Sequence, residues 1–559
     1  MAVLLLFFPV WNHFFPPAPL VTTPTSIPAP ESTQTETHAP AESLKALAPG
    51  GQIAAAESTG QAVQQKEPEK LVNIETQHLK ISLSSHGGNI KQVVLKNYPR
   101  HDGKSYSMLG EYSTPDWARY GALTLGDEDQ ILPFNSASFQ ITNGDQTLTP
   151  HDSISSVIFT YSTPSGASIT KTYIFHYAEY SYNLKIDIKK PEELGFRQGI
   201  TVGWFDPLEP SERDINLDKA KLGGYFDMAG DFLNYKGLKN GTLRQAATGP
   251  IGWVATKTKY FTAIIIADSI TASQAIVVGA ESNKADSLRR ITKWEQYGIG
   301  ITYEHPEQDT SLNFTIYTGP LDYDKLREMG RGLSNLVDFG WHLLRPFAIA
   351  IFWLFTTIHK AVPNYGFVLI VFAMIMQAIF WPLSLKTIKA TYKMREIQPV
   401  LTEIKEKYKN DPTKLNQETM KAYKEYGVNP FGSCLPMLIQ LPVFWALYAV
   451  LSNTIELRGA PFIFWIRDLS QPDPTGRLLF GIGILPILIG VTMFVQQKMT
   501  ITDPKQQMMV YLMPLLFTYL FSRWASGLVL YWTTVSILGI LQQWYAKRFV
   551  NTEKLSRRT

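Results

Sequence analysis

Five stretches near the C-terminus most constrain what this 559-residue chain can become: Tyr365–Leu385, Phe431–Leu451, Leu478–Gln497, Gln507–Ser522 and Ser526–Tyr545. Between their polar ends none carries Asp, Glu, Lys, Arg or His. Hydrocarbon offers no partner to a bare peptide group, so apolar runs of this length are expected to cross a bilayer as helices that satisfy their own backbone. The expected product is a polytopic membrane protein with a five-span helical core over 365–546.

The segments between the runs orient that core, because Lys and Arg accumulate on the cytoplasmic side. The segment 386–429 holds ten of them, among them Lys393, Arg395, Lys405, Lys407 and Lys409. Lys498 and Lys505 lie between the third and fourth runs, and a basic tail, 547–559, follows the last. On the other side, 452–477 has Arg458, Arg467 and Arg477 balanced by Glu456, Asp468 and Asp473. All three basic regions fall on one face if all five runs cross. The C-terminus is then expected in the cytoplasm and the preceding region outside.

That preceding region is of another kind. Leu79, Ile81 and Leu83 alternate with polar residues, as do Leu184, Ile186 and Ile188. Ser156–Tyr161, Ile169–Phe175, Tyr260–Ala267 and Leu312–Tyr317 are rich in β-branched and aromatic residues. Thr163–Gly166 separates two of these runs as a hairpin turn would. Many short strands without a helical period predict a β-sandwich over 71–320. Before it, 16–70 is rich in Pro, Ala, Thr and Ser and cannot bury enough apolar surface to offset its chain entropy, so it is expected as a linker. Met1–Phe15 would reach roughly 22 Å as a helix, short of the ~30 Å hydrocarbon core; it reads as a truncated signal anchor.

Several function classes find no support. A net charge of +4 is too small to imply nucleic acid. The single cysteine, Cys434, sits in an apolar run, so the outer region has no disulfide and Cys434 is expected as a small buried residue. His78, His86, His101, His151 and His176 show no metal-ligand spacing. No nucleophile–base pair or phosphate loop marks an enzyme, and no catalytic residue or cofactor is expected. The runs lack the ionisable residues and the inverted repeat of a coupled transporter.

Two further elements have their own signatures. Trp341–Val362 is apolar with His342, Arg345, His359 and Lys360 near its ends and only Pro363-Asn364 before the first run. It is expected, within a connecting segment 321–364, as an amphipathic helix on the outer interface. In the basic segment Ile397, Leu401, Ile404 and Tyr408 recur at helical spacing, and Asp411-Pro412 starts a second helix, ended by Gly427 and Pro430. The pair is expected to form a cytoplasmic hairpin, a docking arm for anionic lipid, incoming substrate or a ribosome.

The segments NPFGSCLPMLIQLPVFWALY (429–448), GVTMFVQQKM (490–499), DPKQQMMVYLMPLLFTYLF (503–521) and SGLVLYW (526–532) resemble those of the YidC/Oxa/Alb insertase family. The basic hairpin between them, the anchor and the outer β-domain, with its weaker motif GGNIKQVVL (87–95), resemble the Gram-negative branch. This resemblance implies an inner-membrane insertase and chaperone for nascent membrane proteins, acting alone or with the Sec translocon. It implies a hydrophilic groove, open to cytoplasm and lipid, and an apolar surface on the third and fifth helices along which a client segment slides. Gln377, Gln440, Ser433, Thr518, Thr533, Thr534 and Ser536 are polar residues within the runs and candidates for the groove, though interhelical hydrogen bonding could use any of them. Leu441, Phe444, Tyr531 and Trp532 are the candidates for the sliding surface. One departure stands out: where the family usually has an arginine five residues before a proline, this chain has Gln377 before Pro382.

Overall fold

The computed structural model describes residues 68–100, 103–109, 121–127, 130–268, 271–285, 291–304, 308–428, 435–477, 481–500 and 507–549. The expected anchor, nearly all of the linker, His101, Ser433, Cys434 and most of the basic tail lie outside them.

From Leu71 to Pro320 the chain is β-rich, in two sheets of five and fourteen strands. The alternation read from the sequence sets the faces. Leu184, Ile186 and Ile188 are each at most 1% exposed, and Lys185 and Lys189 between and beyond them point out. Thr163–Gly166 makes the turn between Ile154–Ser162 and Ser168–His176, with the Gly166 N–H on the Thr163 carbonyl at 3.0 Å. Phe261–Ala267 is buried at every residue, which is why it reads as an unbroken apolar run. The small sheet lies on the large one: Tyr106 stacks on Phe261 with ring centroids 4.4 Å apart, and Tyr98 meets the same ring edge-on at 5.3 Å. Thr242–Lys257, the longest strand, shows no clean pattern because Gly249-Pro250 sits in a bulge that shifts its register between Thr248 and Ile251.

The helices are α1 (Asn216–Lys219), a single turn within the β-rich region, and then α2 (Tyr323–Glu328), α3 (Arg345–Ala361), α4 (Tyr365–Lys407), α5 (Pro412–Glu425), α6 (Leu435–Asn453), α7 (Ile484–Thr500), α8 (Gln507–Phe521) and α9 (Ser526–Phe549). Helix α3 starts four residues later than expected, because Pro346 is favourable only in a first turn. It buries Ala348, Ile351, Phe352 and Phe355 against its neighbours. The larger difference is α4. It runs unbroken for 43 residues, through Pro382 and Pro399, so the first apolar run and the first half of the basic segment are one helix. By length and composition it is the described helix able to cross a membrane by itself, while α7 and α8 are shorter apolar helices.

Helix α5 begins as its sequence dictates. The Asp411 side chain accepts the Lys414 N–H at 3.0 Å, Pro412 occupies the first turn, and Gly427 at the far end takes a positive φ of 61°. Ile397 and Leu401 of α4 bury Ala422 of α5. The β-rich and helical regions share one apolar core and a polar seam. In that seam the Lys257 ammonium donates to the Leu336 carbonyl at 2.6 Å, and Asn453 at the end of α6 donates to the Asp338 carbonyl at 2.8 Å. Burial by itself would raise Asp338, but Lys221 and Lys257 beside it hold it well below the usual carboxylate range.

Candidate functional site

The polar side chains of the C-terminal helices gather between α4, α7 and α9. Gln377 of α4 donates from Nε2 to Gln542 Oε1 of α9 at 2.6 Å. The pair opens on a cavity of about 420 Å³ whose wall includes Met374, Ala378, Trp381 and Leu541. Gln542 is 5% exposed, and its Nε2 has no protein partner among the described residues; the same holds for Gln497 Oε1 of α7. A buried amide left half-paired is costly, at about 1–3 kcal/mol, so such groups call for water or a polar guest. Gly539 of α9 makes room for the next amide: a Cβ there would lie 2.6 Å from Gln496 Nε2. The arrangement is therefore a row of amides on three helices beside an apolar cavity, with no ionised side chain in it. It can exchange hydrogen bonds with a polar chain but offers no fixed charge.

The hydroxyls are placed otherwise. Thr533 and Thr534 donate to the Val529 and Leu530 carbonyls one turn back, at 2.7 and 2.8 Å, and Thr518 to the Pro514 carbonyl at 2.8 Å. These bonds stay within single helices. Thr518 also packs directly on α7, where a Cβ on Gly490 would meet its Oγ1. Ser536 is buried, Gln440 is half-buried on α6, and Ser433 lies outside the described residues. Gln542, Gln496 and Gln497 were not singled out from the sequence. Their signal was there in two adjacent Gln-Gln pairs, each at the polar end of an apolar run.

Of the residues expected on a sliding surface, Phe444 and Trp532 come together edge-to-face at 5.4 Å, joined by Phe521 and Trp524. Leu441 lies half-buried one turn before Phe444 on α6. Tyr531 turns instead toward α4, 5.9 Å from the Phe372 ring, and is 5% exposed. In the basic segment Lys393, Lys407 and Lys409 are exposed, with the Lys407 ammonium 5.5 Å from the Tyr408 ring. Lys405 is half-buried, and Arg395 donates to the Met499 carbonyl of α7 while covering the Tyr392 ring. Among the described residues no group of three or more His, Cys, Asp or Glu could hold a metal ion.

Comparison with known proteins agrees over the whole chain. Residues 71–354 match the family described as YidC periplasmic domain, and residues 357–554 the family described as 60Kd inner membrane protein. The membrane protein insertase YidC of Chlorobium limicola is 30% identical over 580 aligned residues, covering 100% of this chain and 95% of its own. That of Citrifermentans bemidjiense is 32% identical over 86% of each chain. Among solved structures, a YidC insertase crystallised with its first transmembrane domain resolved covers 87% of this chain and 96% of its own, at 17% identity and a TM-score of 0.39. With a β-rich region and a helical region matched in turn by the two halves of one family, the chain belongs to the YidC family of membrane protein insertases.

Proposed function

We propose that the chain inserts nascent membrane proteins into the bacterial inner membrane by lending their polar segments a hydrogen-bonding groove within the bilayer. The observation that carries this is the Gln377–Gln542 pair, open on a cavity between α4 and α9 with amide groups left unpaired. Moving a peptide group into hydrocarbon without a partner costs roughly 2–7 kcal/mol. A notch of amides and water shortens the path over which that penalty applies, and needs neither ATP nor a covalent step. In this reading the first half of α4 and helices α6–α9 are the five spans, with α5 and the second half of α4 as a cytoplasmic hairpin. Helix α3 lies on the outer interface, and the β-rich region is periplasmic. Phe444 and Trp532 offer the apolar side of the groove. Exposed Lys393, Lys407 and Lys409 face anionic lipid or a ribosome, and a Sec translocon is the expected partner for larger clients.

The test of the groove is insertion by the purified chain in proteoliposomes, using two clients that differ only in acidic residues at the translocated end. An arginine about 5 Å from a carboxylate gains on the order of 3 kcal/mol at an effective dielectric near 20. A glutamine hydrogen bond to the same group gains about 1.5–3 kcal/mol. Gln377→Arg should therefore favour the acidic client by up to roughly tenfold, the equivalent of about 1.4 kcal/mol. Gln377→Ala should lower insertion of both several-fold without abolishing it, because Gln542 and Gln496 remain. Equal effects of Gln377→Arg on the two clients would remove the electrostatic argument.

Orientation has its own test. In a Cys434→Ser background, Lys407→Cys and Lys554→Cys should be shielded from an impermeant thiol reagent in intact spheroplasts, while Ser156→Cys reacts. The reverse pattern would invert the topology.

A further inference from the structure

Away from the groove, α2 and α3 enclose a second cavity of about 410 Å³. Its α3 wall includes Ile349, Trp353, Thr357 and Lys360 at helical spacing, flanked by Thr356 and the buried ring of Phe352. Its α2 wall supplies Asp324 and Arg327. The site thus joins two cations, one carboxylate, the hydroxyl-bearing Tyr323, Thr356 and Thr357, and apolar side chains. Trp353 is 65% exposed, and Phe347 is 53% exposed further round the same helix. Large aromatics bare on a helix that ends in His359 and Lys360 are what an interfacial helix presents to lipid. Neither Arg327 nor Lys360 takes part in a salt bridge among the described residues.

We propose that this cavity binds the headgroup of a phospholipid carrying both a phosphate and a free amine, such as phosphatidylethanolamine. Arg327, whose planar fork matches a phosphate, and Lys360 take the phosphate. Asp324 takes the ammonium, and Ile349 and Trp353 receive the start of the acyl chains. Partial burial raises Asp324 above the usual carboxylate range, with Asp322 and Glu328 adding to the effect and Arg327 and Lys360 opposing it. Those opposing influences place both cations near the carboxylate, and the added negative charge of Asp322 and Glu328 disfavours a headgroup that is only anionic. The inference rests on the placement of α3 at the outer interface.

The experiment titrates the full-length chain in detergent with phosphatidylethanolamine, phosphatidylglycerol or phosphatidylcholine, and counts bound lipid by native mass spectrometry. Phosphatidylethanolamine should fill one site at about tenfold lower concentration than the other two, a difference of about 1.4 kcal/mol. Arg327→Gln with Lys360→Gln should abolish that site, and Asp324→Asn should erase the preference over phosphatidylglycerol. All three side chains are exposed, so melting temperatures should not change. Unchanged binding by the double variant would overturn the site. Equal binding of phosphatidylglycerol by the unaltered chain would overturn the role of Asp324. Soluble glycerophosphoethanolamine competing as well as the lipid would identify a soluble phosphate ester as the ligand and overturn the lipid assignment. Placement of α3 is read separately, from quenching by phospholipids brominated high on the acyl chain in vesicles, which should be weaker in Trp353→Phe. Headgroup selectivity without that difference would overturn the interfacial placement alone; the difference without selectivity would overturn the headgroup site alone.

Discussion

Arg458→Ala is expected to lower the melting temperature of the purified protein by roughly 10 °C, the equivalent of about 3–5 kcal/mol for breaking a buried ion pair on one side. Arg458 lies after α6, and its Nε is 2.9 Å from Glu212 Oε1, with the two side chains 8% and 2% exposed. The same guanidinium donates to the carbonyls of Ser211 at 3.0 Å and Pro99 at 3.1 Å, and sits 5.1 Å from the Phe261 ring. It thus ties the loop after α6 to the β-rich region. Without it, Glu212 stays buried beside Asp218, a carboxylate already pushed above the usual range by burial and by Glu212 itself. The control is Glu212→Gln with Arg458→Met, which removes both members of the pair, leaves Asp218 facing Lys259, and should recover most of the loss. If the double variant melts as low as Arg458→Ala, lost packing rather than an unpaired charge is the cause.

Stability should also rise with pH between about 7 and 10.5, on the order of 1.4 kcal/mol for each pH unit, because of Lys171. Its side chain is fully buried, donating to Asn89 Oδ1 at 2.6 Å and the Leu123 carbonyl at 2.9 Å, and burial pushes its pKa down to about 7. Within that window the unfolded chain holds the lysine proton and the folded chain does not, so raising the pH favours the fold; below it the penalty is constant. Lys171→Met should remove roughly half of the rise in melting temperature over this pH range, because Lys257, which burial also pushes down to about 7, supplies a like share. A slope left unchanged by the substitution would remove Lys171 as its cause. Asn89 is held by the turn before it, where Gly87 and Gly88 take φ of 71° and 59° and the Gly88 carbonyl accepts the Tyr173 hydroxyl at 2.7 Å. That is the physical content of the GGN motif.

What could be read from the sequence was local. Asp411-Pro412 is a cap because both groups act within one turn, and Leu184, Ile186 and Ile188 face inward because a strand has a period of two. What could not be read was pairing across the chain. Nothing near Arg458 announces Glu212, 246 residues away, and nothing near Gln377 announces Gln542, 165 residues away. The row of glutamines was hidden for another reason. An amide at the end of an apolar run looks like the boundary of the run, and only the crossing of α4 and α9 brings it level with Gln377. The unbroken α4 was missed because two prolines and a change from apolar to basic residues both suggest an end, whereas tertiary packing at Ile397 and Leu401 carries the helix on.

Pro382 has an effect on the cavity beyond bending a helix. Lacking an N–H, it cannot return the usual bond to the carbonyl four residues earlier, and that carbonyl belongs to Ala378. Ala378 stands in the cavity wall beside Gln377. The Ala378 carbonyl therefore lacks the donor that a residue other than proline at 382 would supply. Replacing Gln377 and Gln542 would leave that helical bond unmade, and replacing Pro382 would restore it.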